Sequence, residues 1–303
     1  MVQRATATLP ANLRGALWII ASCLLITSMA VIVKVLGTRL DSLQLSFFRA
    51  AFGLLVVAPF ALAAGPTILR TRRPGLHAAR GIAGAIGMMS GFYALTHLPL
   101  ADVTAIGFTK PMFLIVLAAL VLRERVGYRR WSATIVGFLG VLIMVRPGGG
   151  VLELAALVAV LGAFAAACVK LFVKQLATTE QPLTILVYLG LITTTLTALP
   201  AYLVWQPPTL LELGLMLLVG GLASLAQLCI IRGYRLGEAS ALAPFEYSRL
   251  PFAATYGILL FAEVPDLYTL LGAALIVAST LYIAHREAQL GKPLTVPRAS
   301  AEA

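Results

Sequence analysis

"LADVTAIGFTKPMFLIVLAALVLRERV", residues 100–126, decides the fold. Between Asp102 and Arg123 its only formal charge is Lys110. A run of this length crosses a ~30 Å hydrocarbon core as a helix rising ~1.5 Å per residue. Similar apolar runs recur from Leu13 to Ile283. The 303-residue chain is 60% hydrophobic and 12% charged, with a mean hydropathy of +0.95. A soluble domain carries about 25% charged and about 45–50% apolar residues. A membrane β-barrel would need alternating ~10-residue strands, whereas these runs are continuous and rich in Leu, Ala and Gly. The sequence therefore predicts an all-α integral membrane protein.

Charges, Pro and Gly divide the chain into ten segments, near 13–36, 44–64, 75–95, 100–122, 129–146, 151–175, 183–204, 210–232, 238–262 and 266–285. Most of the 23 Lys and Arg residues fall on one side of this arrangement. Arg4 and Arg14 precede the first segment, and Arg70, Arg72, Arg73 and Arg80 occupy the loop after the second. Arg123, Arg125, Arg129 and Arg130 join the fourth to the fifth, and Arg286, Lys292 and Arg298 follow the tenth. The opposite loops keep Lys34, Arg39 and Arg146, with Glu263 and Asp266. The positive-inside rule then places both termini in the cytoplasm of a multi-pass inner (plasma) membrane protein. The same asymmetry accounts for the net charge of +11, so no nucleic-acid partner is expected. The first apolar run is too long for a signal-peptide core, so the first helix is expected to remain. Cys23, Cys168 and Cys229 lie singly in apolar runs, without metal or disulfide spacing.

The fourth and ninth segments resemble each other. "PLADVTAI" opens one and "LGEASALA" the other, and "LRERV" and "LFAEVP" close them. Aligning Asp102 with Glu238 places Thr104 on Ser240, and a slip of three residues is needed to bring Glu124 onto Glu263. "RPGGG" at 146–150 lies between the halves as a natural linker. The expected organisation is a tail over 1–12, a five-helix repeat over 13–146, a linker over 147–150, a second repeat over 151–285 and a tail over 286–303. Five helices per repeat is odd, so the second copy is inverted. Inverted repeats place a substrate site at their interface near the bilayer midplane.

With "FFRA" at 47–50, "LPLADVTAI" leading into "PMF", "LVLRERV", and "GEASALAPFEYSRLPFAATYGILLFAEVP" in the second half, the chain resembles the drug/metabolite transporter superfamily, specifically its EamA-type ten-helix members. The resemblance implies two inverted five-helix repeats and movement of small metabolites by alternating access, including amino acids, nucleotide-like compounds, vitamins and drugs. The overall plan is also similar to the aromatic amino-acid exporters. The leading expectation is thus a secondary transporter of amino acids, aromatic or hydrophobic, in the export direction, with another metabolite class as the alternative.

An intramembrane charge costs roughly 2.5–3.5 kcal/mol on insertion scales, so it is expected to face a cavity or a partner. Lys110 is one such charge. At the 136-residue offset that joins Asp102 to Glu238, Lys110 falls on Glu246. The pair is expected to line one polar cavity, touching directly or through water or substrate. Arg249, three residues after Glu246, reads either as an intrahelical ion pair or as an anchor for a substrate carboxylate. Arg49 reads as a pathway residue or an interfacial anchor. Tyr93, Tyr188 and Tyr247 lie within segments, where they pack or stack on substrate. Pro111, Pro244 and Pro251 interrupt helices at comparable depth, as hinges or static bends. Trp18, Trp131 and Trp205 read as interfacial belt residues. In "GIAGAIGMMSG", Gly87 and Gly91 suit close helix packing, and the spacing is wrong for a dinucleotide loop.

Enzyme chemistry has little support. There is no HExxH, no intramembrane aspartate pair and no nucleophile–base set, and His77, His97 and His285 lie near segment ends. A channel would fit a repeated polar face better than scattered single charges, and no Walker motif is present for ATP-driven pumping. No catalytic residue, metal or cofactor is expected. The expected partners are a small-molecule substrate and the lipid bilayer, with the protein acting as a monomer.

Overall fold

Uninterrupted apolar sequence leaves backbone groups only one way to be satisfied in lipid, which is hydrogen bonding within each helix. The computed structural model describes residues 11–121, 128–145, 151–176, 179–236 and 242–289. The linker expected at 147–150, Glu124 and Glu238, residues 1–10 of the first tail and 290–303 of the second lie outside them. Among the described residues there is no strand. The first repeat holds α1 (Ala11–Leu36), α2 (Ser42–Ala64), α3 (Pro74–His97), α4 (Leu100–Gly107), α5 (Lys110–Val121) and α6 (Tyr128–Val145). The second holds α7 (Val151–Leu176), α8 (Pro182–Leu203), α9 (Leu210–Leu236), a 3-10 segment (Ala243–Ser248), α10 (Arg249–Phe261) and α11 (Leu267–Gln289). The protein is an all-α membrane protein with ten crossings, of which the fourth and the ninth are each built from two pieces. Among the described residues, five spans are long and apolar enough to cross a membrane, Leu100–Val121 among them.

The packing repeats as the sequence does. α3 lies against α7, and its repeat counterpart α9 lies against α1. α2 pairs with α8, α6 with α11, and α4 with α10. Exchanging the two repeats maps α3–α7 onto α9–α1, and maps α2–α8 and α6–α11 each onto itself, as a two-fold relation between inverted copies requires.

Lipid tails are as apolar as Leu, so helices associate here through close van der Waals fit. Glycines permit that approach at matching crossings. A Cβ on Gly15 would meet the Gly233 carbonyl oxygen at 3.0 Å, where α1 crosses α9. Where α3 crosses α7, a Cβ on Gly162 would stand 3.1 Å from Cβ of Ser90 and 3.4 Å from the Gly91 nitrogen. The "GMMSG" stretch is thus a packing surface.

Loops at both ends join the repeats. On the face away from the chain ends, here the distal face, Lys34 Nζ stands 2.5 Å from Glu263 Oε1 and donates to the Leu98 carbonyl at 2.5 Å. Glu263 Oε2 accepts from the Leu100 N–H at 3.0 Å. Arg39 grips Glu212 through two nitrogens. Gln44 donates to the Gln206 carbonyl at 2.7 Å and accepts from the Gln206 N–H at 3.0 Å. On the terminal face, Glu180 accepts from the Thr71 hydroxyl at 2.7 Å and from the Arg72 N–H at 3.1 Å.

Candidate functional site

The two broken crossings carry the site. α4 stops at Gly107, Phe108 and Thr109 form a turn, and α5 starts at Lys110. In the second repeat the 3-10 segment stops at Ser248 and α10 starts at Arg249. The details match at an offset of 139 residues. The Thr109 hydroxyl donates to the Ile106 carbonyl at 2.7 Å, and the Ser248 hydroxyl donates to the Phe245 carbonyl at 2.7 Å. Phe108 and its mate Tyr247 touch each other, with ring centroids 4.7 Å apart. Residues related by a two-fold can meet in this way only near its axis.

This register corrects the expectation drawn from the 136-residue offset. The three-residue slip lies before the breaks, so the mate of Lys110 is Arg249 and the mate of Glu246 is Gly107. Ion pairs away from the breaks join Lys34 to Glu263 and Arg39 to Glu212. Arg249, Lys170 and Glu246 are the charged groups within electrostatic reach of Lys110. Lys110 folds back along its own crossing, so that a Cβ on Gly107 would stand 3.9 Å from its Nζ. Nε of Arg249 is buried without a hydrogen-bond partner among the described residues.

Broken helices release carbonyls, and in a membrane these must find other donors. Each break is served by the opposite repeat. The Thr280 hydroxyl of α11 donates to the Ile276 carbonyl at 2.7 Å and shares its proton with the Phe108 carbonyl, 3.4 Å away. Cys23 of α1 directs its thiol at the carbonyls of Phe245 and Glu246, at 3.8 and 3.5 Å. Beneath the rings, Phe108, Met112, Ile115, Val141 and Ile276 form one hydrophobic cluster with Tyr247 and Leu250 at its edge. Lys110, Glu246, Tyr247 and Arg249 nevertheless keep part of their surface accessible. Lys110 lies ten residues from the start of its crossing, or about 15 Å at ~1.5 Å per residue, close to the midplane.

The other residues singled out from sequence lie elsewhere. Tyr188 stacks on His77 at 4.4 Å and donates to the Leu69 carbonyl at 2.8 Å, near the terminal face. Tyr93 stacks on His97 at 4.0 Å near the distal end of α3. Arg49 runs along α2, its Nη1 3.5 Å from the Cβ position of Gly53, and its neighbour Phe48 packs on Trp205. Pro111 and Pro251 fall in the first turns of α5 and α10, and Pro244 in the first turn of the 3-10 segment. They start segments, where a missing N–H costs nothing, rather than kinking helix interiors. The interior prolines are Pro59 in α2 and Pro200 in α8, a helix pair in direct contact. Their continuous apolar context carries no depth signal. The Lys34–Glu263 contact was also missed, although both residues stood out as charges on one side.

The EamA-like transporter family matches residues 13–146 and again residues 153–284. The chain belongs to that family. It is a small-metabolite transporter of the drug/metabolite transporter superfamily, and not an enzyme. Its relatives include an S-adenosylmethionine uptake transporter of Rickettsia bellii, 34% identical over 89% of this chain and 93% of the relative. A riboflavin transporter of Vibrio cholerae is 33% identical over 91% of this chain and 94% of its own. A pseudopaline exporter of Pseudomonas aeruginosa is 32% identical over 88% and 94% respectively. One solved crystal structure shares the fold, with a TM-score of 0.58 at 19% identity over 93% of this chain and 99% of that one.

Proposed function

We propose that this EamA-family protein is a secondary transporter of the inner (plasma) membrane, with both termini cytoplasmic, that moves a ring-bearing small metabolite by alternating access. The observation that carries the reading is the pair of helix breaks, which puts Phe108 against Tyr247 between the repeats, with Lys110 and Arg249 two residues beyond. The distal latch of Lys34, Glu263, Leu98 and Leu100 supports it, since it joins the first repeat to the second on one side of those breaks. In this reading each repeat acts as one body, divided at 147–150, and the bodies rock about the Phe108–Tyr247 contact.

The relatives' named cargoes, S-adenosylmethionine and riboflavin, both carry flat heteroaromatic rings. Such a ring fits an aromatic surface better than an aliphatic amino acid does. These two compounds are therefore the first candidates, in the uptake direction, and tryptophan in the export direction represents the amino-acid alternative. Flux of labelled S-adenosylmethionine, riboflavin and tryptophan into proteoliposomes, with and without a pH gradient, tests the proposal. Saturable movement of either ring-bearing cofactor is the expected result. Movement of tryptophan alone would move the assignment to amino-acid transport, and no saturable flux of any compound would sink the reading.

A further inference from the structure

Arg49 points the wrong way for an interfacial anchor. It stands seven residues into α2, which starts at Ser42 on the distal face. Helical side chains lean toward the N-terminus of their own helix, and an arginine near a helix end ordinarily reaches back to the interface. Arg49 does the opposite. Its Nη1 lies 3.5 Å from the Cβ position of Gly53, one turn deeper. Gly53 is the twelfth of the 23 residues of α2. At ~1.5 Å per residue it stands about 16 Å from the helix start, the middle of a ~30 Å core.

The same arginine faces into the bundle. Ser42, Ser46, Arg49 and Gly53 follow one another at spacings of four, three and four, so they share one face of α2. Ser42 and Ser46 are only 4% and 0% exposed, which turns that face away from lipid. Contacts with the second repeat flank it. A Cβ on Gly220 of α9 would stand 3.4 Å from Cβ of Phe52, and one on Gly190 of α8 would stand 2.9 Å from Cδ1 of Leu54. Among the described residues no ion pair or hydrogen bond engages the half-buried guanidinium. Nor does any atom of another described helix come within 4 Å of the Gly53 Cβ position, so there is room beside the guanidinium. An intramembrane cation without compensation is costly.

From these observations we infer that Arg49 holds an anionic group of the transported molecule, a carboxylate or a phosphate, inside the bundle. This rests on the transport reading and narrows it to substrates carrying such a group. The guanidinium is a planar fork suited to two oxygens of one anion. A lipid headgroup stays outside the hydrocarbon core, about 15 Å from this depth, so the cargo supplies the anion. Because α8 and α9 flank the arginine of α2, the anion is held where the two repeats meet.

Ring-matched pairs provide the test, with the full-length protein in nanodiscs of zwitterionic lipid and binding read by ligand-dependent shifts in thermal unfolding. The pairs are S-adenosylmethionine with its decarboxylated form, indole-3-acetate with indole-3-acetamide, and flavin mononucleotide with riboflavin. The first two probe a carboxylate and the third a phosphate. The expected result is that the anionic member of at least one pair binds about tenfold or more tightly than its mate, a difference of about 1.4 kcal/mol. Arg49→Gln should remove that preference, and Arg49→Lys should keep part of it. A second readout separates this role from a structural one. The ligand-free midpoint of Arg49→Leu should equal or exceed that of wild type, because an uncompensated cation is removed. A midpoint that falls would make Arg49 a structural tie and overturn the inference. Equal binding within every pair, no binding by any anionic member, or a preference that survives Arg49→Gln overturns it too. Saturable flux of a neutral compound, unaffected in Arg49→Gln, would leave the transport reading standing and the anion assignment refuted. Anion binding that depends on Arg49, without flux of any compound, would keep the site and sink the transport reading.

Discussion

The distal and terminal faces are built from equivalent loops, yet they are fastened differently. On the distal face the loop after α1 meets the loop after α8, and on the terminal face the loop after α7 meets the loop after α2. The repeat relation exchanges these contacts. Distally the acid is Glu212, bound by Arg39 and by the Thr209 N–H and hydroxyl. Terminally the acid is Glu180, on the partner loop, held by a hydroxyl and a backbone N–H. The distal face adds a reciprocal amide pair and the partly buried Lys34–Glu263 contact. Duplication thus conserved which loops touch, while the polar chemistry of each contact diverged. In the alternating-access reading proposed above, such a fold benefits from fastenings of unequal strength.

The largest expected effect comes from breaking the Lys34–Glu263 contact. Their side chains are only 12% and 20% exposed, so losing one partner leaves a poorly solvated charge. Lys34→Met should raise thiol labelling of a cysteine placed at Leu98 about tenfold, corresponding to about 1.4 kcal/mol. The exchange Lys34→Glu with Glu263→Lys should recover part of this, because the ionic contact returns while donation to the Leu98 carbonyl does not. Unchanged labelling in Lys34→Met would remove the latch from the account.

Gln44 comes next. It is fully buried and completes two hydrogen bonds with one backbone unit. Gln44→Leu leaves both groups of Gln206 without these partners and should cost about 1–3 kcal/mol, measurable as a lower thermal midpoint in detergent. An unshifted midpoint would show that water replaces the amide without loss.

The smallest effect belongs to the terminal face. The Thr71 hydroxyl foremost, then the Arg72 N–H, holds the Glu180 carboxyl below its usual range, against the opposing influence of burial. A carboxyl depressed in the folded state stabilises above its unfolded value of about 4.3 and loses that contribution as pH falls through the folded value. Wild type should therefore lose a little more stability than Glu180→Gln when the pH drops below about 4. Parallel pH profiles would assign Glu180 no such role.

The transmembrane architecture was legible because apolar length, and the basic bias of alternate loops, are properties of contiguous sequence. Lys110 and Arg249 were legible for the same reason, as charges in apolar runs. Their relationship was misread by three residues. Asp102 and Glu238 look like matching helix starts, whereas the true landmarks are the hydroxyl-to-carbonyl bonds of Thr109 and Ser248. Those bonds depend on local backbone geometry that residue identity alone does not reveal. Proline caused the converse error. Pro111 and Pro251 stand just after the breaks and looked like kinks within helices, although proline is well tolerated in a first helical turn. The Lys34–Glu263 contact escaped because it joins positions more than two hundred residues apart.

Ala262 shows how such a contact can be tuned without any charge. It closes α10 in the left-handed conformation, with φ 54° and ψ 29°, a region where a Cβ is unfavourable. The reversal of direction there lets the Glu263 N–H reach the Gly257 carbonyl at 3.0 Å and aims the carboxylate at Lys34 and Leu100. A β-branched residue at position 262 would oppose that turn, whereas glycine would relax it. If the distal face opens and closes as proposed above, its residence time is adjustable through one methyl group on the backbone, a route by which relatives could acquire different turnover speeds while their binding sites stay the same.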